Sequence, residues 1–157
     1  MINATIVGLG WWGKTLVESV AEGSDDIRFV DGATRTRTPE VEEFARAQNF
    51  ELRQSYDDLL TDDGIDAVVL ATPHSMHTDQ IIAASAAGKH VFCEKPFALS
   101  KADAAAAVAA TEKAGVTLGL GYNRRLHPEM NKLRAMIRSG DLGTILHVEA
   151  TMTFPNA

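Results

Sequence analysis

Short apolar runs alternate with helix-like stretches through most of the chain. The runs are largely continuous, as expected for parallel strands that helices cover on both faces. The stretches between them carry helix-start and helix-stop residues, such as the Ser100-x-x-Asp103 capping pattern and Gly115. The pattern predicts strands at 4–7, 27–34, 66–71, 90–93 and 117–121, a weaker strand at 50–53, and helices at 14–22, 39–48, 76–87 and 101–114. This repetition predicts an α/β fold built on a doubly wound parallel sheet.

The C-terminal part of the chain follows another pattern. A helix is predicted at 128–139, closed by Gly140, and residues 145–154 then alternate between apolar and polar. A period of two predicts a half-buried strand of an antiparallel sheet. Its apolar face consists of Leu146, Val148, Ala150, Met152 and Phe154. We therefore expect one domain at 1–122, followed at 123–157 by the connecting helix and first strand of an otherwise missing, truncated second domain.

Composition narrows the class of protein. Hydrophobic residues make up 45% of the chain and charged residues 23%, which is ordinary for a globular domain. The net charge of −6 disfavours nucleic acid and anionic membranes as partners. Cys93 is the single cysteine and lies in an apolar run, so we expect it to be buried and free. With no long apolar run and no basic leader, the expected location is the cytoplasm.

The stretch GLGWWGKT at 8–15 fits two phosphate-binding patterns, G-x-G-x-x-G and G-x-x-x-x-G-K-T. Both aim backbone N–H groups and a helix N-terminus at phosphate oxygens. Two tryptophans suit a loop around a triphosphate poorly, although Asp31 could imitate the magnesium-binding aspartate of an ATPase. The dinucleotide interpretation is favoured. It assigns Gly8 to the turn, Gly10 to the pyrophosphate approach and Gly13 to helix packing.

Three further stretches carry a family resemblance: LATPHSMH at 70–77, AAGKHVFCEKPFALS at 86–100 and GYNRRLHP at 121–128. With the glycine loop, they make the whole chain resemble the Gfo/Idh/MocA oxidoreductases. The resemblance implies a Rossmann cofactor domain, followed by an α/β domain that carries the substrate and homo-oligomer contacts. It implies hydride transfer between a nicotinamide and a hydroxyl-bearing carbon of a sugar, polyol or related small molecule. The proton-shuttling residues would lie downstream, so we expect residues 1–157 alone to be inactive.

The resemblance also implies site residues. Lys95 follows a predicted strand within the E-K-P motif and is the expected catalytic residue, since an ammonium there can stabilise charge on a substrate oxygen. The family usually has Asn where this chain has His74, and His74 with His77 lacks a third metal ligand, so no metal is expected. The expected cofactor contacts are Gly8, Gly10, Trp12, Gly13, Thr34, Arg35, Arg37, Thr72, Pro73, His77 and Glu94, and the expected substrate contacts are Tyr122, Asn123 and Arg125.

The second predicted strand bears on the choice between NADP and NAD. An NAD site usually places an acidic residue at the end of this strand, whereas the resemblance puts Thr34 there, followed by Arg35 and Arg37. Guanidinium groups can hold a 2′-phosphate, so NADP is favoured over NAD. The counter-case is a strand that ends at Val30, which would leave Asp31 to bind the ribose.

The alternative function is a stand-alone module that binds a dinucleotide, for example as a sensor, without turning over a substrate.

Overall fold

The computed structural model describes residues 1–151 and 153, and the chain divides into two compact units, Met1–Gly121 and Tyr122–Ala157. The first unit alternates strands and helices throughout. Its elements are β1 Ile2–Val7, α1 Trp11–Gly23, β2 Ile27–Ala33, α2 Pro39–Ala47, β3 Glu51–Leu52, α3 Tyr56–Leu60, β4 Ala67–Leu70, α4 His77–Ala86, β5 His90–Cys93, α5 Lys101–Ala114 and β6 Leu118–Leu120.

All six strands join one parallel sheet in the order β3-β2-β1-β4-β5-β6. The chain winds outward from β1 to β3, then returns to the other side of β1 and continues to β6. This confirms the doubly wound Rossmann sheet predicted from the sequence. The order reverses between β1 and β4, and ligands of such sheets bind outside the carboxyl ends of the strands at this switch point.

Buried side chains form two clusters, one on each face of the sheet. Val17 of α1 and Val41 of α2 belong to one cluster, while Leu59 of α3, Ile81 of α4 and Ala107 of α5 belong to the other. Both faces of the strands are therefore covered by helices. This explains the continuous apolar runs, because a strand buried on both faces has no solvent-facing positions.

The structure adds or moves elements at two places. Helix α1 begins directly after Gly10, earlier than predicted, so the glycine loop leads straight into its N-terminus. Helix α3 was not predicted. Its cap is Ser55, whose Oγ accepts the Asp58 N–H (3.1 Å) while the Asp58 carboxylate accepts the Ser55 N–H (2.9 Å). This Ser-x-x-Asp box is a helix-start signal that the sequence did contain.

The second unit contains a 3₁₀ turn at Asn123–Leu126 and helix α6 at Pro128–Ser139. The helix agrees with its prediction, and Gly140 ends it in the left-handed conformation at φ 82°. None of its residues is buried, and Met130, Leu133 and Ile137 remain about half exposed.

The predicted strand at 145–154 is not formed over the described residues 145–151 and 153; Met152 and Phe154 lie outside the described residues. A strand needs backbone hydrogen bonds from a neighbouring strand. The part of the second unit that the structure describes holds no strand that could supply them.

Among all the described residues, no helix combines the length and hydropathy needed to cross a bilayer.

Candidate functional site

A cavity of about 480 Å³ opens at the carboxyl ends of the first four strands. The loop after β1 contributes residues 8–10, and the loop after β3 contributes residues 54–56. On one side stand Thr34, Arg35 and Thr36, the β2 wall; on the other stand Thr72, Pro73, Met76 and Gln80, the β4 wall. The cavity therefore lies at the switch point of the sheet, where this fold class binds its ligands.

The glycine loop is shaped by close backbone contacts. Gly8 adopts φ +95°, and a Cβ there would lie 2.6 Å from the Ala71 carbonyl oxygen. A Cβ on Gly13 would overlap the carbonyl oxygen of Gly8, so this glycine lets α1 pack against the turn. At Gly10, by contrast, a Cβ would meet nothing within 4 Å. The turn and the helix packing thus exclude side chains at two positions, while the third borders open space.

The N-terminus of α1 has N–H donors without an acceptor among the described residues. Gly10 supplies no side-chain cap, and the first intrahelical bond runs from the Lys14 N–H to the Gly10 carbonyl oxygen (3.1 Å). Among the described residues, no acceptor pairs with the N–H groups of Trp11, Trp12 and Gly13. Such groups, together with the helix dipole, favour a phosphate at this position. A dinucleotide pyrophosphate fits this donor set.

Trp12 lies in the first turn of α1 and does not line the cavity. Its indole Nε1 is buried without an acceptor in the described part of the chain, and its ring centroid lies 5.4 Å from that of Trp11. The structure therefore does not bring the Trp12 side chain to the cavity, although its backbone N–H belongs to the open helix end.

The end of β2 separates two expected cofactor residues. The strand continues to Ala33, so Thr34 follows it directly, and the exposed Arg35 side chain lines the cavity. Arg37 is not brought to the cavity lining. Its Nη2 donates instead to the carbonyl oxygens of Leu52 (3.1 Å) and Arg53. Proximity along the chain predicted two guanidinium groups at the cavity, and the structure places one there.

Asp31 lies inside β2 rather than at its end. Its side chain is 6% exposed and accepts a hydrogen bond from Arg53 Nη2 at 2.9 Å. Arg53 also reaches Asp62 at 2.8 Å, and the Asp31 pairing raises the pKa of Arg53. A carboxylate held in this way is not free to bind a ribose hydroxyl or a magnesium ion. Asp31 is therefore not available as the ribose-binding acid of an NAD site. It is equally unavailable as the magnesium-binding aspartate of an ATPase.

His77, an expected cofactor contact, instead joins two loops. Its fully buried ring lies between two carbonyl oxygens, with Nε2 3.0 Å from Thr72 O and Nδ1 3.0 Å from Pro96 O. It does not line the cavity. Both ring nitrogens are used within the protein. The histidine therefore fixes the loop after β4 to the loop after β5.

The loop after β5 carries the expected catalytic residue. Lys95 is exposed, and no hydrogen bond or ion pair from the described residues holds its ammonium group. Glu94 is 6% exposed, and its Oε2 accepts the Lys95 N–H at 3.2 Å. Gly121 leaves room for this carboxylate, since a Cβ there would lie 2.5 Å from Glu94 Oε1. The Lys95–Pro96 peptide bond is cis.

Cys93, the last residue of β5, is fully buried, as expected from its apolar surroundings. Burial, with a smaller contribution from Glu94, raises the pKa of its thiol to about 12. The group is therefore a neutral thiol at physiological pH and not a nucleophile.

Two residues that the sequence did not single out complete the cavity. The Tyr56 hydroxyl donates to the Gln80 carbonyl oxygen (2.7 Å), and Thr72 Oγ1 donates to Gln80 Oε1 (2.5 Å). Burial raises the pKa of Tyr56, so its hydroxyl stays protonated and remains a donor. Their only sequence signal is indirect: Tyr56 opens the capped helix α3, and Gln80 lies in the first turn of α4.

The expected substrate residues belong to the second unit. Tyr122 is 49% exposed, Asn123 begins the 3₁₀ turn, and Arg125 lines a cavity of about 350 Å³ with three further arginines and the apolar face of α6. Arg134 Nη2 donates to the Arg125 carbonyl oxygen at 3.2 Å. Across both units, the described residues contain no cluster of three or more His, Cys, Asp or Glu side chains that could hold a metal ion.

A sequence model of the Gfo/Idh/MocA group, described as an oxidoreductase family with an NAD-binding Rossmann fold, matches residues 2–122. The chain belongs to this family. The Gfo/Idh/MocA assignment agrees with the sheet order, the glycine turn and the open end of α1. It makes the chain part of an oxidoreductase family that binds NAD or NADP.

Individual Gfo/Idh/MocA relatives differ in cofactor and substrate. Myo-inositol 2-dehydrogenase of Thermotoga maritima is 32% identical over 142 residues, which cover 88% of this chain and 41% of that enzyme. D-xylose 1-dehydrogenase (NADP(+)) 2 of Haloferax volcanii is 38% identical over 100 residues, covering 64% of this chain and 30% of the relative.

A solved Gfo/Idh/MocA structure is similar as well. Scyllo-inositol dehydrogenase from Lactobacillus casei, with bound NAD(H) and scyllo-inositol, superposes with a TM-score of 0.83 at 26% identity, covering 91% of this chain and 42% of that one. The chain thus spans about two fifths of the length of relatives such as the Thermotoga maritima enzyme, and less of the Haloferax volcanii enzyme.

Proposed function

We propose that this chain binds a nicotinamide dinucleotide in the cavity at the carboxyl ends of β1 to β4. It would act as the cofactor domain of a dehydrogenase or reductase for a sugar, a polyol or a related small molecule. The open N-terminus of α1 is the observation that carries the proposal, because its first N–H groups have no acceptor among the described residues and Gly10, which lines the cavity, leaves space beside them. The substrate class rests on the names of relatives such as myo-inositol 2-dehydrogenase.

Different parts of the site would bind different parts of the dinucleotide and its substrate. The N–H groups at the start of α1 would bind the pyrophosphate, and the β2 wall would face the adenosine ribose. The nicotinamide, when bound, supplies a carbon that accepts or donates a hydride. Lys95 Nζ would donate a hydrogen bond to the reacting oxygen of the substrate and stabilise negative charge there. Glu94 would orient the Lys95 backbone through the N–H that its carboxylate accepts.

NADP is the proposed cofactor. Arg35 is the cationic side chain that lines the cavity next to Thr34 and Thr36, and a guanidinium pairs well with a 2′-phosphate. No acidic side chain lines this cavity to repel the phosphate. Arg37 does not contribute in this arrangement, because backbone carbonyls of Leu52 and Arg53 occupy its guanidinium.

Titration of the chain with NADPH and NADH tests both parts of the proposal, with quenching of Trp11 and Trp12 fluorescence as the signal. We expect NADPH to bind more tightly, and Arg35→Ala to weaken NADPH binding about tenfold or more while leaving NADH binding nearly unchanged. If neither dinucleotide binds, the proposed function is wrong. If NADH binds equally well or better, and Arg35→Ala changes nothing, the site stands and the NADP preference is wrong.

Two further expectations remain predictions beside this proposal. The cytoplasmic location rests on composition and on the single buried cysteine. The expectation of a homo-oligomer for a full-length enzyme of this kind rests on the family resemblance.

A further inference from the structure

We propose that Gln80 recognises the adenine base of the cofactor through its side-chain amide. The inference rests on the proposed dinucleotide function and adds a residue that selects the base. Gln80 lies on the β4 wall, apart from the glycine loop and the β2 wall on which the proposed function rests.

Gln80 is held at two points, one on its side-chain amide and one on its main chain. Thr72, in the loop after β4, donates through Oγ1 to Gln80 Oε1 at 2.5 Å. Tyr56, at the start of α3, donates through its hydroxyl to the main-chain carbonyl oxygen of Gln80 at 2.7 Å. The residue is only 6% exposed, so the core also restricts its rotamers. A polar group held in this way is pre-organised for a ligand, because little conformational freedom is left to lose on binding.

The amide keeps hydrogen-bonding capacity for a ligand. Nε2 carries two N–H donors, and Oε1 has a second lone pair beyond the one that Thr72 uses. No hydrogen bond in the described chain uses Nε2, and this atom is not among the buried polar atoms that lack a partner. Nε2 is therefore not fully enclosed, and the open space that Gln80 adjoins is the cavity. A donor and an acceptor therefore stand side by side at the cavity surface.

Adenine offers the matching pair. Its N6 amino group donates while the neighbouring ring nitrogen, N1 or N7, accepts, and a glutamine amide can pair with such an edge in a bidentate manner. The β4 wall carries no charged side chain, and its other members include Pro73 and Met76. A neutral, partly apolar surface with one fixed amide suits a flat base better than a phosphate, for which the open end of α1 is the stronger site.

Gln54 provides a matched control within the same cavity. It has the same side chain and also lines the cavity, but it is exposed. No hydrogen bond within the described residues fixes its amide. Any effect that comes from the glutamine side chain alone would appear at both positions. An effect that needs the anchoring by Thr72 and Tyr56 would appear only at Gln80.

The test compares two probes, NADPH and its hypoxanthine analogue, in which the N6 amino group is replaced by a carbonyl oxygen and N1 carries a hydrogen. We expect the wild-type chain to bind NADPH about tenfold more tightly, because the fixed amide would face a mismatched edge in the analogue. Gln80→Met, which keeps the length of the side chain without its polar atoms, should bring the two affinities within about twofold. Gln54→Met should keep the wild-type ratio.

Gln80→Glu is the second variant, chosen in case the Met variant does not fold. It keeps an oxygen for Thr72 but has no N–H donor, so it should also lose the preference for adenine. Equal affinity of the wild-type chain for both probes would overturn the inference, as would a Gln80 variant that weakens both probes by the same factor. If the wild-type chain binds neither probe, the proposed function itself fails, which separates the two conclusions.

Discussion

The two walls of the cavity are built in different ways. On the β4 wall, Thr72 and Gln80 are joined by a hydrogen bond, and buried His77 ties the Thr72 carbonyl to the next loop. On the β2 wall, Arg35 is exposed and has no hydrogen-bond partner in the described residues. The β4 wall is thus continuous with the core, whereas Arg35 can change without disturbing the fold. Accordingly, relatives named for NADP and a relative solved with NAD(H) can share one scaffold.

The largest effect is expected at the glycine loop, which lies between the two walls. Gly13→Ala would push a Cβ into the Gly8 carbonyl oxygen, so we expect a loss of more than about 3 kcal/mol in the free energy of unfolding. Gly10→Ala meets open space and should fold nearly normally, yet lose dinucleotide binding. Chemical denaturation and NADPH titration of both variants measure this. Equal unfolding midpoints for the two variants would contradict the packing argument.

A second large effect is expected at Lys95, beyond the β4 wall. In a polypeptide that carries this domain and turns over substrate, Lys95→Ala should lower kcat about 10²–10³-fold, since one stabiliser of developing charge is lost. The Kd for the cofactor should stay nearly constant, because Lys95 does not line the cavity. A kcat within a few-fold of the wild type would reduce Lys95 to a surface residue.

The attachment of the β4 wall to the next loop can be tested at His77. His77→Ala removes a fully buried ring and both of its carbonyl contacts, and we expect a cost of about 2–4 kcal/mol in stability. His77→Gln can still donate to one carbonyl and should recover part of the loss. His74→Ala is the control, since this neighbouring ring is exposed. If thermal melts give His77→Ala and His74→Ala the same Tm, the two loops hold together without His77.

The smallest effect is expected at Arg37. Arg37→Ala loses hydrogen bonds from an exposed guanidinium to the carbonyls of Leu52 and Arg53, so its stability should stay within about 1 kcal/mol of the wild type. The ratio of NADPH to NADH affinity should not change, unlike in Arg35→Ala. If Arg37→Ala lowers NADPH affinity as much as Arg35→Ala does, Arg37 also contacts the 2′-phosphate and belongs to the β2 wall.

Much of the first unit was predictable because its signals are local. Apolar runs, the glycine turn and the caps of α5 each lie within a few neighbouring residues, and the structure has the corresponding strands and helices. The helix α3 was missed although its capping box at Ser55 and Asp58 is equally local. The length of α3, only five residues, left no periodicity to detect.

The site was predictable in outline and not in its side-chain directions. Residues two apart in an extended segment lie on the same side, so spacing placed Arg35 and Arg37 together. The carbonyl oxygens of Leu52 and Arg53 bind the Arg37 guanidinium instead, and the cavity receives only Arg35. Tyr56 and Gln80 are brought together by packing of α3 and α4 on the same face of the sheet, which no short motif encodes. The strand expected at 145–154 depends on a partner strand, and pairing of that kind is not a property of the segment itself.

The position of the cavity at the ends of four strands links cofactor supply to folding. Strand β1 pairs with β2 on one side and with β4 on the other, so its glycine turn and both walls exist only when these distant segments have assembled. An unfolded chain has nothing equivalent to offer a dinucleotide. Ligand binding then acts on the folding equilibrium by mass action, and a cofactor at one hundred times its Kd adds about 2.7 kcal/mol to the stability of the native state. For a chain that binds the dinucleotide as proposed, a higher cofactor level would therefore lower the fraction of unfolded molecules that a protease can cleave.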